Sequence, residues 1–195
     1  NATFGHGLGA VPKMYILKRY DSSNNWRVYH ESIGNGKYMT LETTEAEQTS
    51  SGFTNNTSPT SSLISLGNLG SANPSGGSVI CYAFAEKQGY SKFGSFTSNT
   101  STNDSFIYLG FKPNFFLVKS TTNTNAWIMF DGARNKSNPT NAKLYPNSSA
   151  VEDTEPDFDF LSNGVKLRAN FGANTFIYMA FAEQPLVGDN PATAR

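Results

Sequence analysis

The chain has 195 residues, 13% aromatic and only 15% charged, with 15 Lys and Arg balanced by 15 Asp and Glu. That balance argues against a nucleic-acid partner or an anionic membrane surface, since both select a basic surplus. A single cysteine, Cys81, rules out an intramolecular disulfide and a cysteine metal cluster, and no apolar run has the length of a membrane helix.

Apolar stretches are short and bounded by Gly, Pro, Asn, Ser or Asp, which is the signature of strands. In chain order, strands are expected at 13–19, 26–31, 38–43, 51–54, 62–66, 78–86 and 92–96. Further strands are expected at 106–110, 114–119, 126–131, 142–145, 157–160, 164–168 and 174–183. No sustained apolar stripe has helical spacing, so the one helix candidate is a short turn over 43–48. Residues 186–195 read as an extended C-terminal peptide. The start, Asn1-Ala2-Thr3-Phe4-Gly5-His6, has no signal-peptide pattern. We expect residue 1 to be a processing boundary and the chain to be the C-terminal part of a longer one.

One pattern is written twice. Gly9, Pro12, Lys18 and Trp26 recur as Gly110, Pro113, Lys119 and Trp127, at a constant offset of 101. Val79-Ile80-Cys81-Tyr82-Ala83-Phe84-Ala85-Glu86 recurs as Phe176-Ile177-Tyr178-Met179-Ala180-Phe181-Ala182-Glu183, at an offset of 97. The period is far longer than a solenoid repeat and indicates a duplicated half-domain. The expected architecture is all-β: one sandwich domain over 1–195, with related halves at about 1–96 and 97–185. Two strands per half, around 14–17 and 79–85 and their mates, are apolar on both faces. Such strands are central ones whose outer face is covered as well. Low charge and covered faces suit a subunit of an assembly, so self-association is expected.

The candidate chemical groups each have a structural reading. Trp26 and Trp127 open the second strand of each copy; an exposed Trp stacks on sugars, but recurrence in both copies favours core packing. Lys18 with Glu86, and Lys119 with Glu183, are expected as structural ion pairs across neighbouring strands rather than acid–base pairs. His30 corresponds to Asp131, which points to loop anchoring or surface exposure, and His6 shares no metal-ligand spacing with it. The acidic run 152–159 lacks the spacing of a calcium loop and reads as a solvated loop. Cys81 lies in an apolar strand and reads as a buried thiol. No Gly-x-Ser-x-Gly elbow, phosphate loop or dinucleotide fingerprint is present, so no catalytic residues, metal or cofactor are expected.

The repeated blocks at 7–18, 26–30, 82–86, 89–96, 109–113, 159–168 and 177–185 resemble a family of tail-fibre-like and other structural proteins of bacteriophages, common in marine phages. Ser98-Asn99-Thr100-Ser101 departs from the resemblance, standing where a Gly-containing turn is expected. The resemblance implies a concanavalin A-like or jelly-roll sandwich and a virion component, extracellular, with other virion proteins as partners; together with the low charge and covered faces it makes a trimeric fibre tip the first expected form of self-association. It carries no catalytic residues. The expected function is non-enzymatic host attachment through a surface glycan, with loops 20–25, 88–104 and 120–126 as the contact. Within them Asp21, Asn24, Asn25, Tyr90, Asn99, Asn103, Asp104 and Asn125 offer donors and acceptors for sugar hydroxyls, or a stacking ring. The alternatives are a purely structural capsid-decoration or filament subunit, and a polysaccharide-degrading tail-spike enzyme with carboxylates in 152–159.

Overall fold

A computed structural model describes residues 1–103, 105–155 and 157–185; the expected C-terminal peptide 186–195 lies outside them. The chain is nearly all β and forms antiparallel sheets packed as sandwiches, in two compact units, Asn1–Ala85 and Glu86–Arg195.

The first unit holds β1 (Ala2–Gly5), β2 (Pro12–Arg19), β3 (Arg27–His30), β4 (Lys37–Thr40), β5 (Gln48–Thr49), β6 (Leu63–Leu66) and β7 (Val79–Ala85). Its larger sheet has five strands in the order β5-β4-β3-β2-β7, and β1 pairs with β6 in a second sheet. Tyr15, Leu17 and Tyr29 from the large sheet meet Ile64 and Leu66 from the small one in a single core. Alternation dictates this: Tyr15 and Leu17 are two apart and share a face, as do Ile64 and Leu66. Phe53 joins this core from a single helical turn, α1 (Ser51–Thr54).

The second unit holds β8 (Ser91–Thr97), β9 (Phe106–Tyr108), β10 (Pro113–Ser120), β11 (Ile128–Asp131), β12 (Lys143–Leu144), β13 (Phe158–Leu161), β14 (Gly164–Leu167) and β15 (Thr175–Ala182). Its sheets run β12-β11-β10-β15-β8 and β13-β14-β9. The core between them is aromatic. The Phe116 ring lies 5.4 Å from Phe158 and 5.7 Å from Tyr178, and Phe158 meets Phe130 edge-on at 5.0 Å. Each such ring pair contributes about 0.5–1.5 kcal/mol beyond its area burial.

The sequence repeat corresponds to a repeat in strand register. Met14 faces Phe84 and Tyr15 faces Ala83 across β2 and β7. Their counterparts Phe115 and Phe116 face Phe181 and Ala180 across β10 and β15. Both ladders are irregular at the same place, between Pro12 and Met14 and between Pro113 and Phe115. Proline donates no N–H to a ladder and is tolerated at such irregularities. The outer faces of the doubly apolar strands are covered in β2, β10 and β15, where Met14, Leu117, Ile177 and Met179 are all buried. On β7 they are not: Ile80 is 41% and Tyr82 45% exposed.

Three local expectations differ from the structure. Residues 43–48 form no helix; Glu47 is drawn to Lys37, and Gln48 pairs with Tyr38 in β5. Residues 51–54, expected as a strand, form α1 instead. Their carbonyls are taken by a neighbouring loop, with Gly67 N–H donating to Phe53 O and Leu69 N–H to Gly52 O. Gly67 is required there, because a Cβ would sit 2.3 Å from the Gly52 carbonyl oxygen. Strands β1 (4 residues) and β5 (2 residues) lie outside the expected strands.

Candidate functional site

The two conserved-offset lysines brace their own hairpin loops. Lys18 Nζ donates to the Asn24 and Ser22 carbonyls, and Lys119 Nζ donates to Ser120 O at 2.7 Å and Asn123 O at 3.3 Å. The expected pairs with Glu86 and Glu183 do not form. In an antiparallel pair the C-terminal ends of two neighbouring strands lie at opposite ends of the ladder. Thus Lys18 faces Ile80, and Lys119 faces Ile177. Glu183 pairs instead with Lys112 at 2.8 Å, and Glu86 reaches Lys92 at 3.8 Å.

Lys119 is fully buried, and that burial pushes its pKa down to about 8. The folded value lies below the unfolded one, so between pH 8 and 10.5 the unfolded chain holds a proton the folded chain has lost. Stability is therefore expected to rise across that window, by up to about 3 kcal/mol. Burial holds Tyr29 and Tyr178 near 12, and these pull stability the other way above pH 10. Denaturant melts of the parent and Lys119→Met isolate the lysine by difference. A difference independent of pH from 8 to 10 would contradict the assignment.

The two tryptophans part company. Trp127 is 1% exposed, whereas Trp26 is half-buried, stacked 6.2 Å from Tyr82 with Lys18 above its ring. Both backbone N–H groups are capped from a later loop, Trp26 by the Glu42 carboxylate and Trp127 by Asn147 Oδ1. His30 and Asp131 have one job in common. Each accepts an N–H two residues on, from Ser32 and Ala133, which is why the position takes either residue. His30 is buried and anchors its loop, so the surface option is excluded. Cys81 is half-buried, and burial lifts its thiol to about 12, so it is unreactive at neutral pH.

The sequence-derived glycan candidates fall in separate places. Asp21, Asn24 and Asn25 lie on the β2–β3 loop of the first unit. Asp21 accepts from Arg19 at 2.8 Å and from Ser78 N–H at 2.9 Å, and the Arg19 hydrogen bond first, then Ser78, holds its carboxyl below the ordinary value. Asn24 donates to Ser22 Oγ. In the second unit, Asn99, Asn103 and Asn125 are all exposed near one end of β8, β10 and β15. Loops 97–103, 120–125 and 170–174 converge there, with Ser98 Oγ against Gly172 O and Asn123 and Thr122 both donating to Asn174 Oδ1. Asn99 Oδ1 is occupied by Ser101 N–H. Asn99, Asn123 and Asn174 therefore brace the rim. Tyr90 precedes β8 at the opposite end of that strand, exposed, with its ring 5.6 Å from Phe181. Asp104 lies outside the described residues.

A concave site lies where the sequence reading placed none. A cleft of ≈ 450 Å³ opens in the second unit beside the start of β10, the end of β11 and the loop after it. Asn114, Asn138, Ser137, Lys136 and the Lys112–Glu183 pair line it, with Phe160 at its wall. Asn138 braces the cleft by pairing with the Phe160 backbone in both directions, at 2.8 and 2.9 Å. The signal in the sequence is the Asn-rich stretch Asn135-Lys136-Ser137-Asn138-Pro139-Thr140-Asn141, which lies outside the repeated blocks.

The acidic run is not a free carboxylate cluster. Glu152 meets Arg134 at 2.5 Å, Asp153 accepts from Tyr145 at 2.6 Å, Asp157 meets Lys143 at 2.8 Å, and Asp159 meets Arg168 at 2.5 Å. Among the described residues no three His, Cys, Asp or Glu side chains converge as a metal site.

A family model covers residues 1–185, the span of all the described residues. The chain belongs to the family described as a domain of unknown function (DUF7483). No curated protein and no solved structure matches it. The paired aromatic cores and the amide-lined cleft are therefore features of a DUF7483 chain read on its own geometry.

Proposed function

We propose that the chain is a non-enzymatic adhesion module of a virion, part of a tail or surface fibre that recognises a host glycan. The observation that carries this reading is the cleft lined by Asn114, Asn138, Ser137 and Lys136. Its volume suits one or two sugar rings, and binding sites are concave surfaces with a few converging polar groups. Neutral amides and hydroxyls match sugar hydroxyls as both donors and acceptors. The loops that line it hang from a rigid sheet, so they vary at little cost to the fold. The rim around Asn123 and Asn174 is a second polar surface, where Asn123 and Thr122 both donate to Asn174 Oδ1, and serves as the comparison site.

The polysaccharide-degrading alternative needs two carboxylates free to trade protons. The engagement of Glu152, Asp153, Asp157 and Asp159 by cations or a tyrosine speaks against the acidic run in that role. A purely structural subunit, self-associated or bound to other virion proteins, is the second reading, supported by the open face of β7.

A host-glycan array followed by calorimetry tests the proposal. Asn114→Ala and Lys136→Ala should each weaken binding about 2–10-fold, the effect of one lost hydrogen bond. Asn123→Ala and Asn125→Ala should leave it unchanged. Binding lost through the rim variants alone would move the site; no binding to any host glycan would remove the reading.

A further inference from the structure

In the second unit β15 lies between two strands, β10 on one side and β8 on the other. In the first unit the matching strand β7 pairs with β2 and, among the described residues, has no strand on its outer side. The two strands also differ in burial, residue by residue. Ile177 and Met179 are 2% and 6% exposed, but their counterparts Ile80 and Tyr82 are 41% and 45% exposed. On the inner face Phe176, Tyr178 and Ala180 are buried, whereas Val79, Cys81 and Ala83 are only half-buried. A trough of ≈ 780 Å³ runs along β7, lined by Val79, Cys81, Ala83, Phe4 and Leu66 among others.

We propose that this trough is a binding site for an extended strand of a second polypeptide, which adds antiparallel to β7 as β8 adds to β15. The β8–β15 ladder specifies the ligand's chemistry. Phe96 faces Phe176, Gly94 faces Tyr178 and Phe93 faces Met179. The Phe96 ring stacks on Phe176 at 5.2 Å and sits 6.4 Å from Tyr178, which is how β8 covers that face. Gly94 leaves room for the Tyr178 hydroxyl, which a Cβ there would approach to 2.7 Å. Transferred to β7 at the repeat offset, an aromatic residue faces Val79 and a second faces Tyr82, and of the two positions between them one faces Ile80 and the other Cys81. Cys81 is much smaller than Tyr178, so the position facing it accepts a side chain. The ligand is thus a strand with aromatic residues at positions 1 and 4, read antiparallel to β7, and small or polar residues between. Strand addition draws its affinity from main-chain hydrogen bonds and its selectivity from such alternate side chains. Strand β7 carries no Pro or Lys to discourage pairing on its edge. This inference is independent of the glycan reading.

The test uses the full chain and a fluorescein-labelled peptide with the sequence of residues 90–98. Anisotropy should show saturable binding at one peptide per chain. Hydrogen exchange should slow within Val79–Ala83 when the peptide is present. Ile80→Lys with Tyr82→Lys should weaken binding at least tenfold; both side chains are exposed, and circular dichroism confirms that the fold is retained. A peptide with both Phe93 and Phe96 replaced by Ser should bind at least tenfold more weakly to the parent chain. Three results overturn the proposal. One is no binding at millimolar peptide. Another is binding indifferent to the β7 substitutions. The third is sedimentation of the free chain as a dimer that Ile80→Lys disperses, which makes the occupant a second copy.

Discussion

Lys143→Met should lower stability by about 3–5 kcal/mol. The Lys143 ammonium and the Asp157 carboxylate are 2.8 Å apart, both nearly inaccessible, with Asp153 a further 3.4 Å from the same nitrogen. Burial disfavours charge on Lys143, but the hydrogen bond and Coulomb attraction from Asp157 outweigh it and hold the amine above its ordinary value. Burial lifts the Asp157 carboxyl, and Lys143 opposes that lift. Taking the lysine away leaves a carboxylate in the interior with no cation, and removing one partner of a buried pair costs this much. The double variant Lys143→Met, Asp157→Leu removes both charges and should recover most of the loss. Urea melts read both. A loss under 1 kcal/mol for the single variant, or no recovery in the double, would contradict the buried-pair description.

Trp127→Ala should cost about 3–5 kcal/mol, and Trp26→Ala about 1–2 kcal/mol or less. Removing a large aromatic from a packed interior combines lost transfer energy with a residual cavity. Trp127 is 1% exposed, so both terms apply in full. Trp26 is only half-buried, with its ring stacked on Tyr82, so part of its surface is never removed from water. Equal losses for the two variants, measured by thermal or urea melts, would show that the two positions are equivalent after all.

That asymmetry marks the limit of what the sequence discloses. The strands were legible because their signals are local: Tyr15-Ile16-Leu17 and Phe115-Phe116-Leu117-Val118 are short apolar runs ended by Lys and polar loops. The matching register of β2–β7 and β10–β15 was implicit in the constant offsets. Burial of one tryptophan and half-exposure of the other was not, because packing depends on which elements cover a face. The Lys–Glu pairs failed for a related reason. Sequence places Lys18 and Glu86 each at a strand end, but antiparallel pairing sends those ends apart. The α1 turn was hidden because its cause, the approach of Gly67 to Gly52, is a contact between distant segments. The glycan candidates were chosen as polar loops. Local composition could not show that Asn99 and Asn123 are engaged in bracing the rim, nor that Asn114 and Asn138 meet in a cleft.

The adhesion reading stands or falls on attachment itself. Particles assembled with and without this domain, matched for particle number, should be compared for adsorption to host cells. The account predicts that particles lacking the domain adsorb poorly and that the purified chain, added in excess, blocks adsorption of the parent particles. Normal adsorption without the domain would contradict it and leave the structural reading in its place.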